Sequence, residues 1–410
     1  MAAGLNGQNL AGRRRAAGHF HDKPGGRPPG LYGQVCALLQ PVPNVCCTLR
    51  RAAVIANRNS REIGKMKEIE TIHAAGHVLC HDITEIVKGE RKGPAFRKGH
   101  IVTEEDIPVL LRLGKDHLFV WEKKEGILHE NEAARILYEI CRGDGMHGSD
   151  VSEGKIELIA DRDGLFKVNR QGLYAVNRLG EMMIACRHGD VPVKKGDRLA
   201  GTRIIPLVIE QEKMDKARRA AGQAPLFQIL PFQEKKVGIV TTGNEVFYGR
   251  IQDTFGPVIR EKLAEYPAQV LGQTYTDDQK DHIREAILDF ARQGARMILC
   301  TGGMSVDPDD RTPGAIADTG EEIISYGAPV LPGAMLLMAY LSWEGKRIPV
   351  LGLPGCVMYS KRTIFDLVLP RVMADDPVTA DELAALGEGG FCMNCPVCTF
   401  PNCGFGKGRH

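Results

Sequence analysis

What most constrains this chain is the stretch after Lys236, where apolar runs of strand length alternate with segments of helical periodicity. Residues 237–242 read as a strand, 257–265 as a helix, 269–274 as a strand and 278–292 as an amphipathic helix. Residues 297–301 and 349–353 add two strands, and 359–369 another helix. Strands separated by helices pair in parallel, and a parallel sheet needs helices over both faces. The expected architecture over 235–375 is therefore α/β, a three-layer α-β-α domain with a mostly parallel sheet. Ligands of such sheets lie beyond the carboxyl ends of the strands.

Upstream the pattern is less regular. Residues 66–211 carry an early strand near 78–83, a helix over 104–113 that starts at the capping residue Thr103, and strand-like runs at 155–160, 165–168 and 203–209. That is an α+β region without a catalytic signature. Residues 212–234, polar and helix-prone at first, are expected to link it to the α/β domain. Residues 1–65 are rich in Gly, Ala, Arg and Pro, include Arg13-Arg14-Arg15, and lack sustained periodicity. They are expected to be disordered or an over-called upstream start.

The 410 residues leave room for two to four domains, and 53 basic against 51 acidic side chains give a formal charge of +2. Such a chain has no global field to draw it to nucleic acid or an anionic membrane, so any anion must be captured locally. No stretch approaches the ~20 apolar residues of a membrane span. The expected location is cytoplasmic.

Three strands of the α/β region end in glycine turns: Thr241-Thr242-Gly243-Asn244-Glu245, Thr301-Gly302-Gly303-Met304-Ser305 and Leu353-Pro354-Gly355-Cys356. Glycine lets backbone N–H groups approach an oxyanion, and a helix start adds positive dipole. One such loop is most simply a tight turn; three in phase at strand ends suggest a cradle for phosphate or pterin. Acidic residues flank the same loops: Glu245, then Asp277 and Asp278, then Asp307, Asp309 and Asp310. Oxygen ligands there suit Mg²⁺ shared with a phosphate. The competing reading makes Asp278 and Asp310 helix N-caps.

The ordered set Thr242-Gly243-Asn244-Glu245-Val246, Thr301-Gly302-Gly303-Met304-Ser305-Val306, Pro332-Gly333 and Gly352-Leu353-Pro354-Gly355 resembles the molybdopterin-binding domain of molybdenum cofactor biosynthesis. That domain is shared by molybdopterin molybdenumtransferase, molybdopterin adenylyltransferase and gephyrin. Gly-Gly-Met-Ser-Val is closer to the molybdenumtransferases, whereas Asp310-Arg311-Thr312-Pro313-Gly314-Ala315 is similar to the adenylyltransferase pattern. By position the resemblance implies Glu245, Asp278 and Asp310 as the groups that bind metal and adenylated pterin. Thr242, Gly243, Asn244, Thr301, Gly302, Gly303, Ser305, Pro354 and Gly355 become the expected ligand-binding set. Cys356-Val357 stands where the molybdenumtransferases carry Asn-Pro, and their Asp-Gly-Tyr-Ala signature and carboxyl-terminal β-domain are missing. A shortened or specialised relative is expected.

What the resemblance implies is insertion of molybdate or tungstate into adenylated molybdopterin with release of AMP, with Mg²⁺, by a homodimer or larger assembly. The alternatives are molybdopterin adenylyltransferase, a nucleotide pyrophosphatase of the competence-damage type, or a non-catalytic carrier or sensor. A molybdoenzyme or another cofactor-pathway protein is the expected protein partner.

Four of the twelve cysteines crowd into residues 388–410 as Cys392, Cys395, Cys398 and Cys403, a C-x2-C-x2-C-x4-C array. Four thiolates so close in sequence suit Zn²⁺ or an iron–sulfur cluster, and the spacing does not say which. His73, His77 and His81 recur every four residues, but Gly76 and Val78-Leu79 argue against the helix that would align them. The basic stretch 88–98 is expected to be a solvated loop.

Overall fold

The computed structural model describes residues 67–87, 91–120, 126–320 and 322–408. The expectations for residues 1–65 lie outside them.

The sheet of the α/β domain has six strands: β1 (Lys235–Thr242), β2 (Ala268–Thr276), β3 (Met297–Thr301), β4 (Glu322–Tyr326), β5 (Leu337–Trp343) and β6 (Lys346–Leu353). Their order is β2-β1-β3-β6-β5-β4, with the first four parallel, β5 antiparallel to β6, and β4 antiparallel to β5. Alternation along each strand builds two cores. Val237, Ile239, Met297, Leu299 and Leu351 pack one way, against Ile259 and Leu263 of α2 (Phe255–Leu263), which follows the short α1 (Asn244–Phe247), and against Phe365, Leu369 and Val372 of α5 (Ile364–Met373). Val240, Ile298, Cys300 and Val350 pack the other way, against Ile283, Ile287 and Phe290 of α3 (Lys280–Arg292) and Ile316 of α4 (Thr312–Ala317). This is the three-layer α-β-α arrangement, because a strand buried on both faces must be apolar at every position. Helix α3 sits tight on the sheet: a Cβ on Gly238 would lie 2.3 Å from the Phe290 ring.

Several boundaries differ from the sequence reading. The helix expected at 359–369 starts at Ile364, where Thr363 accepts from the Phe365 N–H and Asp366 reaches back to the Thr363 N–H, 2.7 Å away. Residues 355–358 are instead a 3-10 turn. Strands β4 and β5 went unread; β5 and β6 form a hairpin that ends the parallel run.

The region before the sheet has two cores of its own. A small one joins Ile69, Leu79, Ile83, Leu110 and Leu118. A larger one joins Leu137, Leu158, Phe166, Ile184, Leu199 and Phe227. The segment expected as a linker belongs to the larger one. Helix Gln211–Ala221 turns Met214, Ala217 and Ala221 inward at helical spacing, and strand Phe227–Leu230 pairs with Gly164–Val168. Its polar composition reflects only its outer face. Likewise Arg91–Phe96, inside the stretch expected as a loop, is a strand paired with Ile83–Val87. Around 78–83, Val78 and Leu79 make only isolated bridges, to Ile101 and Val120, and the strand itself begins at Ile83. His73 ends a 3-10 turn, so the three histidines share no helical face.

Candidate functional site

The parallel strands all end on one edge, and side-chain hydroxyls tie those ends together. Thr301 Oγ1 donates to Thr241 Oγ1 (3.2 Å), which also accepts from Gln273 Nε2 (2.9 Å). Thr242 and Thr312 share a hydroxyl contact of 3.1 Å, and Thr312 Oγ1 donates to the Gly302 carbonyl (2.9 Å). Thr242, Thr301 and Thr312 are all buried. The side chains of Thr242 and Thr301, both members of the expected ligand-binding set, thus brace the loops from below. Gly302, at φ +84°, lies so close to β1 that a Cβ would fall 2.2 Å from the Thr242 carbonyl oxygen. That approach brings the second glycine loop onto the first.

A cleft of about 680 Å³ opens over these ends. Gly302, Gly303, Ser305 and Asp310 line one side, Pro354, Gly355 and Cys356 another, and Leu331 to Met335 a third. Thr242, Gly243, Asn244, Glu245 and Asp278 do not line it; they form the neighbouring loop cluster that touches it through Gly302. A second cleft, about 740 Å³, lies in the preceding region among Glu139, Arg142, Asp144, Asp161 and Arg218. Mixed charges and no strand-end glycine loop make it the poorer candidate despite its size.

The carboxylates do not cap their own helices. Asp278 accepts from the Asn244 N–H (3.0 Å) on the loop after β1, and Asp310 accepts from the Ser305 N–H (3.0 Å). Asp277 instead serves the start of α3, accepting from the Gln279 N–H (3.2 Å) and pairing with His282 (2.8 Å). Burial pushes the Asp278 carboxyl above its usual range; the Asn244 N–H opposes this, and the charges of Glu245, Asp309 and Asp310 reinforce it. Four acids from three loops thus share one electrostatic neighbourhood. Beside them the buried Thr276 Oγ1 has no hydrogen-bond partner.

Could these groups hold Mg²⁺? Among the described residues no three His, Cys, Asp or Glu side chains are gathered around a single point. Magnesium, however, is commonly held by one or two carboxylates, waters and the phosphates of its ligand, and mutually repelling acids beside a cleft fit that mode.

Some site residues were not legible. Tyr326 donates to the Met304 carbonyl (3.0 Å) and so props the second glycine loop, but it stands on β4, a strand without a clean sequence signal. Met304, Met335 and Met358 bring apolar surface to the cleft, and nothing in a lone methionine announces that.

The four tail cysteines border a different cavity, of about 390 Å³, which shares Leu331 and Pro332 with the cleft. All are free thiols; Cys395 and Cys398 are exposed.

Residues 238–374 match the family model described as "Probable molybdopterin binding domain", and residues 68–122 match a domain of unknown function. Among curated proteins, the chain is 27% identical over 182 residues to a molybdopterin molybdenumtransferase of Synechococcus elongatus, covering 42% of each chain. It is 37% identical over 82 residues to a molybdenum cofactor biosynthesis bifunctional protein of the same organism, covering 20% of this chain and 26% of that one. Over 90 residues it is 34% identical to a CinA-like protein of Mycobacterium avium, covering 22% and 21%. The chain spans less than half the length of these curated relatives.

Proposed function

Residues 238–374 belong to the molybdopterin-binding domain family, and on that premise we propose that this chain inserts molybdate or tungstate into adenylated molybdopterin with release of AMP. The observation that carries the proposal is the meeting of the glycine loops and the acids of three strand ends beside one cleft. The pterin body would lie against Met304, Met335 and the Leu331-Pro332 segment, which line the cleft, with its phosphates toward Gly302 and Gly303. Backbone donors there bind a phosphate oxyanion without a desolvated lysine or arginine.

Glu245, Asp278 and Asp310 are the groups that would hold Mg²⁺. When bound, the ion neutralises phosphate charge as the adenylate leaves. In the structure Asp278 and Asp310 occupy the Asn244 and Ser305 N–H groups. Turning those carboxylates outward frees two more amides for the phosphate, so the acids and the loop amides act as one exchangeable set. Tyr326 and Thr312 hold the loops still while this happens. The four tail cysteines are the candidate ligands of a thiolate-bound metal, Zn²⁺ or an iron–sulfur cluster.

The test is incubation of the purified chain with adenylated molybdopterin, molybdate and Mg²⁺. AMP release with loss of adenylated substrate is expected; unchanged substrate rejects insertion. Consumption of ATP with unmodified molybdopterin would instead place the chain with the adenylyltransferases. Tight binding without turnover would make it a carrier.

A further inference from the structure

His129 stands at the start of helix Glu130–Cys141, is 1% exposed, and serves two segments at once. Its Nδ1 accepts from the Asn131 N–H (3.1 Å), so the ring caps the helix, and Glu132 reaches back to the His129 N–H at 3.0 Å. A neutral imidazole whose Nδ1 accepts carries its proton on Nε2. Nε2 therefore donates to the carbonyl of Cys80, 2.6 Å away and 49 residues earlier in the chain. Cys80 follows Leu79 of the small core, the helix carries Leu137 of the larger one, and the two cores share no residue. One buried ring thus bridges two separately packed units.

A second proton on that ring undoes both contacts. It would sit on Nδ1, donor against donor with the Asn131 N–H, and would put a cation at the positive end of the helix dipole. Turning the ring to free Nδ1–H swings Nε2 off the Cys80 carbonyl, because one torsion moves both nitrogens. Cap and bridge are lost together.

The surroundings hold the ring neutral. Burial pushes the His129 imidazole below its ordinary value; Lys98 and His81 add to this, and the Cys80 carbonyl and Glu132 oppose it. His81, whose buried Nδ1 finds no partner among the described residues, is likewise lowered by burial and by Lys115, against Asp82 and Glu153. Arg135 faces Lys98 from the helix. Stability held by a neutral histidine is full above the unfolded value of about 6.5 and is lost as pH falls below it. Glu130 works the other way. Burial raises its carboxyl, with Glu153 and Asp82 reinforcing and Arg203 and Lys98 opposing. Its contribution is full below about 4.3 and lost as pH rises through its folded value, so it cannot cause a loss on acidification.

We propose that His129 is a pH-sensitive latch: the neutral ring caps helix Glu130–Cys141 and holds the segment 67–120 to the region that follows it, and protonation releases that segment with its own core intact. The latch does not rest on the insertion reaction.

Hydrogen exchange of the full chain, corrected for intrinsic rates, tests it. Amides of residues 130–135 and 78–83 should exchange at least tenfold faster at about pH 5.5 than at about pH 7.5, while strand β1 stays equally protected. In the same step, the nitrogen spectrum of the histidine-labelled chain should show His129 passing from the Nε2–H tautomer to the cation. His129→Asn keeps a capping acceptor, does not titrate, and is too short to reach Cys80 as well. It should leave residues 130–135 protected and residues 78–83 fast at both pH values. Glu130→Gln should leave the acid response in place. Equal exchange at both pH values in the parent, a His129 ring that stays neutral while the segments open, a response that persists in His129→Asn, or a parallel loss of protection in β1 would overturn the latch. None of these measurements uses pterin, so their failure is separate from failure of the insertion assay.

Discussion

At the scale of single residues, the site rests on close approaches that only certain side chains permit. Asp278 is held half-buried among three other acids, and its carboxyl is raised above the ordinary value. A raised carboxylate favours the protonated folded state. The stability it contributes is therefore full below the unfolded value of about 3.9 and is lost as pH rises through the higher folded value. Asp278→Asn, which keeps an acceptor for the Asn244 N–H, should therefore melt above the parent at pH 7 and match it in strong acid. Its AMP release should fall on the order of a hundredfold or more. Thermal melts across pH check the first statement, and a less stable variant at neutral pH would refute the repulsion. Gly302→Ala would place a methyl 2.2 Å from the Thr242 carbonyl at a backbone angle that suits glycine. A loss of about 1–3 kcal/mol is expected in urea unfolding, since the loop can escape only by leaving β1.

At the scale of elements, the sheet and its helices are specified by packing on both faces, and each helix start is set locally. Helix α5 begins where Thr363 and Asp366 cap each other, and Asp366 also pairs with Lys262 of α2 at 2.8 Å. Thr363→Ala removes one half of that box while leaving the ion pair, and should cost about 1 kcal/mol. Equilibrium denaturation reads this directly; no loss would mean that Asp366 alone fixes the helix start. Gly238→Ala tests the contact between sheet and helix α3. The new methyl meets Phe290 at 2.3 Å, so an overpacking cost of about 1–3 kcal/mol is expected.

At the scale of the molecule, the α/β domain and the preceding region are joined by charge as well as chain. Lys167 bridges Asp190 (2.5 Å) and Asp376 (2.9 Å), and Arg371 pairs with Asp376 (2.5 Å) and Glu382 (3.0 Å). Arg187 reaches across to Asn402 of the tail (2.9 Å). Asp376→Ala leaves two partly buried cations short of a partner and should cost about 2–3 kcal/mol. Calorimetry should then resolve two transitions where the parent shows one; an unchanged single transition would show that the junction is held by its apolar contacts. Among the described residues no helix is long and apolar enough to cross a membrane.

The α/β alternation, the glycine loops and their order were legible in the sequence. Strands buried on both faces must be continuously apolar, and turns of positive φ select glycine whatever surrounds them. Local chemistry of that kind leaves its mark residue by residue. Tertiary structure alone decided that Thr242 and Thr301 face inward, that Asp278 serves another loop and not its own helix, and that residues 211–230 complete the preceding core. It alone placed the tail cysteines against the wall of the cleft. Each of these depends on which distant segment arrives as neighbour. A threonine, an aspartate or a polar helix reads the same in sequence whether its partner is water, a backbone amide or a core.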